Sequence, residues 1–244
     1  MPDTGRCLIF DADDTLWENN IYFEAAIEEF LEAIGGLIGS SNAMAPDRRA
    51  VLALLNEIER ESIPRCGYGS RHFVNSLRET FSRIYSGSDG VVYHRAIDEI
   101  SQRLIQHPIA VMPHVPETLE TLRRRFRLLM FTKGDYDEQS SKAARSGLEH
   151  HFHAVEITGE KDPNAYRQLV ERHALDRETT FMIGNSPRSD VLPALAAGLW
   201  AVFVPHQHTW DLEHDEVPPH PRLITVNSIR ELPALLEQMF PEQI

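Results

Sequence analysis

The chain has 244 residues, 42% of them hydrophobic, and a formal net charge of −13, which together predict an acidic globular protein. This length accommodates one large α/β domain or a core domain with a second domain inserted into it. The negative charge argues against non-specific binding to nucleic acid or to an anionic membrane, because both need a basic surface, although a metal ion could still draw an anionic substrate into one cleft.

Short apolar runs predict the strands of the fold in chain order. The first run, Cys7–Phe10, begins so near the N-terminus that it leaves no room for a signal peptide, so we expect a cytoplasmic protein. No apolar run approaches the roughly 20 residues that cross a bilayer. Four more runs follow, and a further one could add a sixth strand: Leu128–Phe131, Ala154–Ile157, Phe181–Ile183, Ala201–Val204 and Leu223–Val226.

The gap between the first two strands, residues 17–109, is far longer than one crossover helix needs. Its periodicity predicts four helices: Glu18–Ile38, Pro46–Ile63, His72–Tyr85 and Val92–Gln106. We therefore predict an all-helical domain at 17–109, inserted into an α/β domain made of 1–16 and 110–244.

Helical patterns such as Val115–Arg125 and Asn164–Arg172 separate the later strands. Strands that alternate with helices predict a doubly wound parallel sheet covered on both faces. Ligands bind such sheets beyond the carboxyl ends of the strands. The residues that follow each strand are therefore the candidates for function.

Polar residues follow four of the predicted strands. They are Asp11, Asp13 and Thr15 after the first, Thr132-Lys133-Gly134 after the second, Lys161 after the third and Gly184–Asp190 after the fourth. Carboxylates this dense cost free energy unless they share a cation or a proton. Carboxylates suit Mg²⁺, while a hydroxyl, a backbone N–H and a lysine suit phosphoryl oxygens, so these segments can hold both together.

The four segments resemble the four motifs of the haloacid dehalogenase superfamily of hydrolases, mostly phosphatases with a Rossmann-like core. The family pattern Asp-x-Asp-x-Thr matches residues 11–15, and the Ser or Thr of its second motif matches Thr132. Its lysine matches Lys161, and its Gly-Asp with a later Asp matches Gly184 and Asp190. The resemblance covers essentially the whole chain and implies that the inserted helices are the family's cap domain at its first insertion point.

The resemblance also implies a role for each matched acid. Asp11 would attack phosphorus and form an aspartyl-phosphate, and Asp13 would protonate the leaving oxygen and then deprotonate water. The carboxylates of Asp11 and Asp190 and the carbonyl of Asp13 would hold Mg²⁺. Retention of Asp13 points to phosphate esters, because the dehalogenase branch, whose halide leaving group needs no proton, lacks this acid.

For the remaining matches, Thr132 and the N–H of Gly134 would bind phosphoryl oxygens, and Lys161 would offset the charge of Asp11 and of phosphate. Two positions depart from the family pattern. Asn185 replaces the usual Asp, so we expect its amide to hydrogen-bond a metal-bound water and Mg²⁺ to bind more weakly. Asp162 separates Lys161 from the proline that usually follows it directly.

Three further sets of residues have less specific patterns. Arg71 and His72, beside a Gly-punctuated turn of the helical segment, either read the leaving group of the substrate or belong to an exposed helix connection. The histidines between His206 and His220 are loosely spaced without thiolates, which favours a solvated loop over a metal site. Asp14 is expected to be a loop or helix-capping residue.

The sequence thus predicts a Mg²⁺-dependent phosphatase that hydrolyses a small phosphomonoester, with a small phosphorylated metabolite as its partner and no nucleic acid or membrane. A phosphomutase of the same superfamily and a catalytically silent binding protein on this fold remain alternatives. The identity of the substrate and the oligomeric state stay open.

Overall fold

The computed structural model describes residues 5–40, 47–85 and 90–241, so Pro46, where we predicted the second helix to begin, lies outside the described residues. The chain divides into two compact units. The first unit consists of Met1–Asn20 and Ile109–Ile244, and the second is Ile21–Pro108.

The first unit is built on a parallel six-stranded sheet with the strand order β3-β2-β1-β4-β5-β6. All six predicted strands are confirmed, with ends within two residues of the prediction. Their bounds are β1 Cys7–Phe10, β2 Arg127–Lys133, β3 Ala154–Thr158, β4 Thr180–Gly184, β5 Trp200–Phe203 and β6 Leu223–Thr225. This order belongs to the doubly wound fold, in which a crevice opens where the strand order reverses, here between β1 and β4.

Helices connect the strands, except that a loop with a short 3₁₀ turn joins β5 to β6. Their bounds are α1 Asn20–Ser40, α2 Arg48–Cys66, α3 Ser70–Ile84, α4 Gly90–Ile105, α5 Val115–Leu122, α6 Tyr136–Ser146, α7 Pro163–His173, α8 Leu192–Ala196 and α9 Leu232–Met239. Helix α5 ends three residues earlier than the predicted Arg125. Among the residues that the structure describes, no helix combines the length and the apolar character needed to cross a membrane.

The pleat of the strands explains why helices cover both faces of the sheet. Leu8 and Phe10 of β1 belong to one buried apolar cluster, which includes residues of α5 and α9. Cys7 and Ile9 belong to a different cluster, which includes residues of α7 and α8. Side chains on both faces of one strand are therefore apolar, as expected for a parallel sheet.

The two segments at the ends of the insertion pair with each other inside the first unit. Trp17 forms an antiparallel bridge with Val111. The N–H of Glu18 donates to the carbonyl of Ala110 at 2.9 Å. The chain therefore leaves the first unit and returns to it at one place.

The second unit is helical and has its own buried apolar cluster, to which α1, α2, α3 and α4 all contribute. Helix α2 begins after Asp47, whose carboxylate accepts a hydrogen bond from the N–H of Arg49. It ends before Gly67, which has a φ of 77°, a conformation that favours glycine. The α/β fold class with an inserted helical segment is as predicted.

Glu59 makes the stability of the second unit depend on pH. Its side chain lies on α2 and is 4% exposed, and burial raises its pKa from 4.5 to about 8. The unfolded chain releases this proton at lower pH than the folded chain. The contribution of the neutral Glu59 carboxyl to stability is therefore complete below about pH 4.5 and is lost as the pH rises through about 8.

We expect Glu59→Gln to raise the free energy of unfolding by roughly 2–4 kcal/mol at pH 8 and by less than about 1 kcal/mol at pH 5. The amide keeps the size of the carboxyl group but cannot ionise. Urea unfolding of both proteins at the two pH values measures the difference. An effect of equal size at pH 5 and pH 8 would show that ionisation of Glu59 is not its cause.

Candidate active site

The predicted site residues follow the strands at one edge of the sheet. Asp11 comes directly after β1, and its N–H donates to the carbonyl of Ile183 in β4 at 2.9 Å. Thr132 is the penultimate residue of β2 and is 2% exposed. Lys161 lies three residues beyond the end of β3. The carboxyl ends of the parallel strands thus gather residues that are far apart in the sequence.

Lys161 connects two of the predicted metal ligands. Its Nζ lies 2.5 Å from Asp11 Oδ1 and 2.8 Å from Asp190 Oδ1, and its side chain is almost fully buried. Burial opposes the charge on this ammonium, but the two carboxylates outweigh burial and raise the pKa of Lys161 above its usual value. Lys161 is therefore a buried cation held between two acids.

The two carboxylates that flank Lys161 fit a divalent cation. Two buried carboxylates share one ammonium, which leaves one negative charge among them uncompensated. Burial and the nearby charge of Asp11 both raise the pKa of Asp190. A cation beside these oxygens would favour the ionised form, and hard carboxylate ligands suit Mg²⁺. Asp11, Asp190 and the carbonyl of Asp13 are the groups that would hold the ion.

The Asp190 carboxylate is held by a tight turn. Pro187–Val191 forms one turn of π-helix between β4 and α8. The N–H of Ser186 donates to Asp190 Oδ2 at 3.0 Å. Gly184 leaves the space that this carboxylate occupies, because a Cβ there would lie 2.2 Å from Asp190 Oδ2. Single π turns occur frequently at functional sites.

We expect Gly184→Ala to displace the Asp190 carboxylate and to weaken Mg²⁺ binding by about tenfold or more. Calorimetric titration of the protein with Mg²⁺ measures the change. Gly159→Ala is the matched control, because a Cβ at Gly159 meets nothing within 4 Å. Equal affinities for Mg²⁺ in the two variants would show that Asp190 is not a ligand of the ion.

The Asp13 carboxylate has a set of donors different from that of Asp11. Lys142 Nζ lies 2.8 and 2.6 Å from its two oxygens. Gln139 Nε2 donates to Oδ2 at 2.9 Å, and Trp17 Nε1 donates to Oδ1 at 2.7 Å. Burial raises the pKa of Asp13, but the charge of Lys142 and these hydrogen bonds outweigh it and hold the pKa below its usual value.

Asp11 and Asp13 lie beyond the end of β1. The strand ends at Phe10, and the chain turns at Asp14, which has a φ of 60°. The two acids consequently pair with different lysines, Lys161 and Lys142.

Sequence reasoning missed Gln139 and Lys142. Both lie on α6 and are buried, 4% and 3% exposed, together with Ala143. Lysine is rarely buried without a partner. The available signal was the absence of an apolar stripe along α6, which means that this helix must bury polar side chains.

The N–H of Gly134 has a partner different from the predicted one. We expected its N–H to bind a phosphoryl oxygen, but that N–H donates to the carbonyl of Thr158 at 3.0 Å. Gly134 instead makes room for Gln139: its φ is 146°, and a Cβ there would lie 2.9 Å from Gln139 Nε2. Since Gln139 donates to Asp13, this glycine acts on the site through sterics.

Asn185 links three segments of the first unit. Its Nδ2 donates to Thr209 Oγ1 at 3.1 Å, and its N–H donates to Thr15 Oγ1 at 3.2 Å. Thr15 Oγ1 also lies 2.9 Å from Asp11 Oδ2 and 3.2 Å from Asn185 Oδ1. The amide that we expected to bind a metal-bound water is thus engaged by two threonines.

The second departure from the family pattern has a local explanation. Asp162 is exposed, and its carboxylate accepts a hydrogen bond from the N–H of Ala165 at 2.7 Å at the start of α7. Asp162 is therefore a helix-capping residue, which is a frequent role for aspartate.

Asp14 organises the turn after the first motif. Its carboxylate accepts hydrogen bonds from the N–H groups of Asn19 and Asn20 at the start of α1, and burial raises its pKa to about 7. His206 lies beside it, with Nδ1 3.9 Å from Asp14 Oδ1 and Nε2 3.3 Å from Glu18 Oε2. Carboxylate oxygens and imidazole nitrogens can bind a cation, but the Asp14 carboxylate already accepts hydrogen bonds from backbone N–H groups.

The loop between β5 and β6 is exposed at His214, Asp215 and Glu216, as predicted for a solvated loop, but it also contributes buried residues to the first unit. Thr209, Leu212 and Glu213 are each 8% exposed. Thr209 accepts from Asn185, and Glu213 accepts from residues beside Asp190. The loop is rich in proline and histidine, and no local sequence pattern indicated these contacts.

Arg71 and His72 lie at the start of α3 in the helical unit. Arg71 is exposed, whereas His72 is partly buried, with Nε2 3.0 Å from Ser62 Oγ. Burial lowers the pKa of His72. Their predicted contact with substrate remains a prediction.

A doubly wound sheet with a buried Asp–Lys–Asp group where its strand order reverses is typical of an enzyme active site. The family described as haloacid dehalogenase-like hydrolases matches residues 6–198. The chain belongs to this family.

Three similar proteins illustrate the relationship. A haloacid dehalogenase-like hydrolase of known structure from Xanthomonas campestris is 30% identical, with a TM-score of 0.78 over 96% of this chain and 95% of that one. The phosphoserine phosphatase of Thermus thermophilus is 37% identical over 90 residues, which are 35% of this chain and only 36% of that protein. The glyceraldehyde 3-phosphate phosphatase of Methanocaldococcus jannaschii is 23% identical over 95% of this chain and 97% of its own length.

Proposed function

We propose that this protein is a Mg²⁺-dependent phosphatase that hydrolyses a small phosphomonoester through an aspartyl-phosphate. The observation that carries the proposal is the pairing of Asp11 and Asp190 through Lys161, with Asp13 held separately by Lys142. Two acids in different surroundings are what nucleophilic catalysis with proton transfer requires. The names of the relatives, which include phosphoserine and glyceraldehyde 3-phosphate phosphatases, support the same chemistry.

In the first step the Asp11 carboxylate attacks phosphorus, and the bond between phosphorus and the leaving oxygen breaks. Lys161 and Thr15 orient this carboxylate through its two oxygens. The hydroxyl of Thr132 donates to a phosphoryl oxygen, and the charge of Lys161 offsets that of the phosphoryl group. A divalent cation, when bound, neutralises charge that develops on the phosphoryl oxygens.

Asp13 moves the protons in both steps. It donates a proton to the leaving oxygen, then takes one from the water that attacks the aspartyl-phosphate and regenerates Asp11. Lys142 favours the ionised form of Asp13 in the free protein. The negative charge of a bound phosphate ester opposes Lys142 and raises the pKa of Asp13 toward the protonated form.

The helical unit is proposed to be the family's cap, since it is inserted between the first motif and the second. Residues of a cap at this position, with Arg71 and His72 as candidates, would select the leaving group. A cap of this size suits a small metabolite better than a folded phosphoprotein.

Phosphate release from a panel of phosphorylated metabolites, with and without Mg²⁺, tests the proposal. The panel includes phosphoserine, glyceraldehyde 3-phosphate and N-acylneuraminate 9-phosphate, after the names of the relatives. We expect release from a subset of the esters, and only with a divalent cation. Isomer formation without phosphate release would identify a mutase, and no reaction with any ester would favour a silent binding protein.

A further inference from the structure

Glu213 is a buried carboxylate that the proposed chemistry does not use. It lies at the end of a short 3₁₀ turn, Asp211–Glu213, in the loop between β5 and β6. Its side chain is 10% exposed, although the surrounding loop is rich in exposed polar residues. A charge buried in this way needs partners.

The partners of Glu213 come from two other segments of the first unit. Its Oε2 accepts hydrogen bonds from the hydroxyls of Ser186 and Ser189, both at 2.5 Å. Its Oε1 accepts a hydrogen bond from Lys133 Nζ, which also donates to Ser189 Oγ at 2.8 Å. The charge of Lys133 and these hydrogen bonds outweigh the effect of burial and lower the pKa of Glu213.

Both serines belong to the turn that carries Asp190. The N–H of Ser186 donates to Asp190 Oδ2 at 3.0 Å, and Ser189 directly precedes Asp190. On its other side, Ser189 accepts a hydrogen bond at its carbonyl from the hydroxyl of Tyr166 at 2.9 Å. Glu213 thus holds the π turn whose conformation sets the direction of the Asp190 carboxylate.

Lys133 adds an electrostatic reason for an acid at this position. It is the last residue of β2, next to Thr132, and its side chain is 12% exposed. Without Glu213, this ammonium would lie beside Ser189 with a more distant carboxylate, Glu160, at 3.7 Å. A positive charge that Glu213 no longer balances would lie next to the Asp190 turn and would disfavour a divalent cation there.

We propose that Glu213 is a positioning residue for the cation site, which acts through Ser186 and Ser189 on Asp190 and neutralises Lys133. This inference rests on the proposed function, because it needs Asp190 to be a ligand of the cation. It assigns to the loop between β5 and β6 a part in cation affinity.

Calorimetric titration of the protein with Mg²⁺ tests the inference without any turnover. We expect Glu213→Gln to weaken Mg²⁺ binding by about tenfold or more, as found when residues that orient metal ligands are changed. Glu216→Gln is the matched control, since Glu216 is exposed in the same loop, and its affinity should equal that of the wild type. Higher Mg²⁺ concentrations should restore the kcat of Glu213→Gln toward that of the wild type, which a damaged fold would not allow.

A second variant covers the case in which Glu213→Gln does not fold. Ser189→Ala removes one hydroxyl between Glu213 and Lys133 and leaves the charges in place, and we expect a smaller loss of Mg²⁺ affinity, roughly threefold. Wild-type affinity in Glu213→Gln, or in Ser189→Ala where that variant alone folds, would overturn the inference. A wild-type protein that binds no Mg²⁺ would overturn the proposed cation dependence itself, so the two failures are distinguishable.

Discussion

Asp11→Asn should abolish phosphate release, with a loss of about 10⁴-fold or more in kcat, because the amide cannot attack phosphorus. The same variant should unfold at a temperature equal to or above that of the wild type. Asp11 and Asp190 share one ammonium, and removal of one carboxylate charge relieves the repulsion between them while Lys161 keeps Asp190 as its partner. Steady-state assays and thermal unfolding in the absence of Mg²⁺ measure the two effects.

The control for this change is Asp137→Asn, an identical substitution at an exposed position of α6. It should leave both activity and unfolding temperature unchanged. Activity that survives in Asp11→Asn would show that another group attacks phosphorus. A large fall in its unfolding temperature would show that Asp11 stabilises the fold and does not strain it.

Asp13→Asn should give a loss that depends on the leaving group. With an alkyl phosphate, whose alkoxide needs a proton, we expect kcat to fall by roughly 10²–10⁴-fold. With an aryl phosphate such as p-nitrophenyl phosphate, whose leaving group needs no proton, the first step should proceed almost normally. The second step still lacks its base, so one equivalent of nitrophenol should be released in a burst, followed by slow turnover.

Rapid-mixing measurements on Asp13→Asn with the aryl ester detect the burst. Lys142→Met is informative beside it, because this variant keeps the acid and removes the ammonium that pairs with it. An equal loss with alkyl and aryl esters in Asp13→Asn would exclude Asp13 as the group that protonates the leaving oxygen.

Much of the fold could be predicted because of where the strands lie. The central strands of a parallel sheet are buried on both faces, so they read as unbroken apolar runs, as Cys7–Phe10 does. The chemically active residues stand directly after such runs, since ligands bind at the carboxyl ends of the strands. The conjunction of Asp11, Lys161 and Asp190 follows from these two facts together.

The parts of the site that could not be predicted depend on contacts between distant segments. Lys142 reaches Asp13 from a helix, and Glu213 reaches Lys133 from a loop. Neither position has a distinctive sequence neighbourhood, because a buried ion pair is defined by its partner and not by its own surroundings in the chain. The engaged N–H of Gly134 was equally hidden, since it depends on how far the pairing between β2 and β3 extends.

The pairing of Trp17 with Val111, and of Glu18 with Ala110, has a consequence for how this architecture tolerates change. The entropic cost of closing a loop grows only with the logarithm of its length. The length of a segment whose two ends are joined by backbone hydrogen bonds therefore has little effect on the entropy that the chain loses on folding. We therefore expect that helices between Glu18 and Ala110 can be lengthened, exchanged or lost while the sheet and its Asp–Lys–Asp group stay intact. Selectivity could diverge at this junction independently of the chemistry.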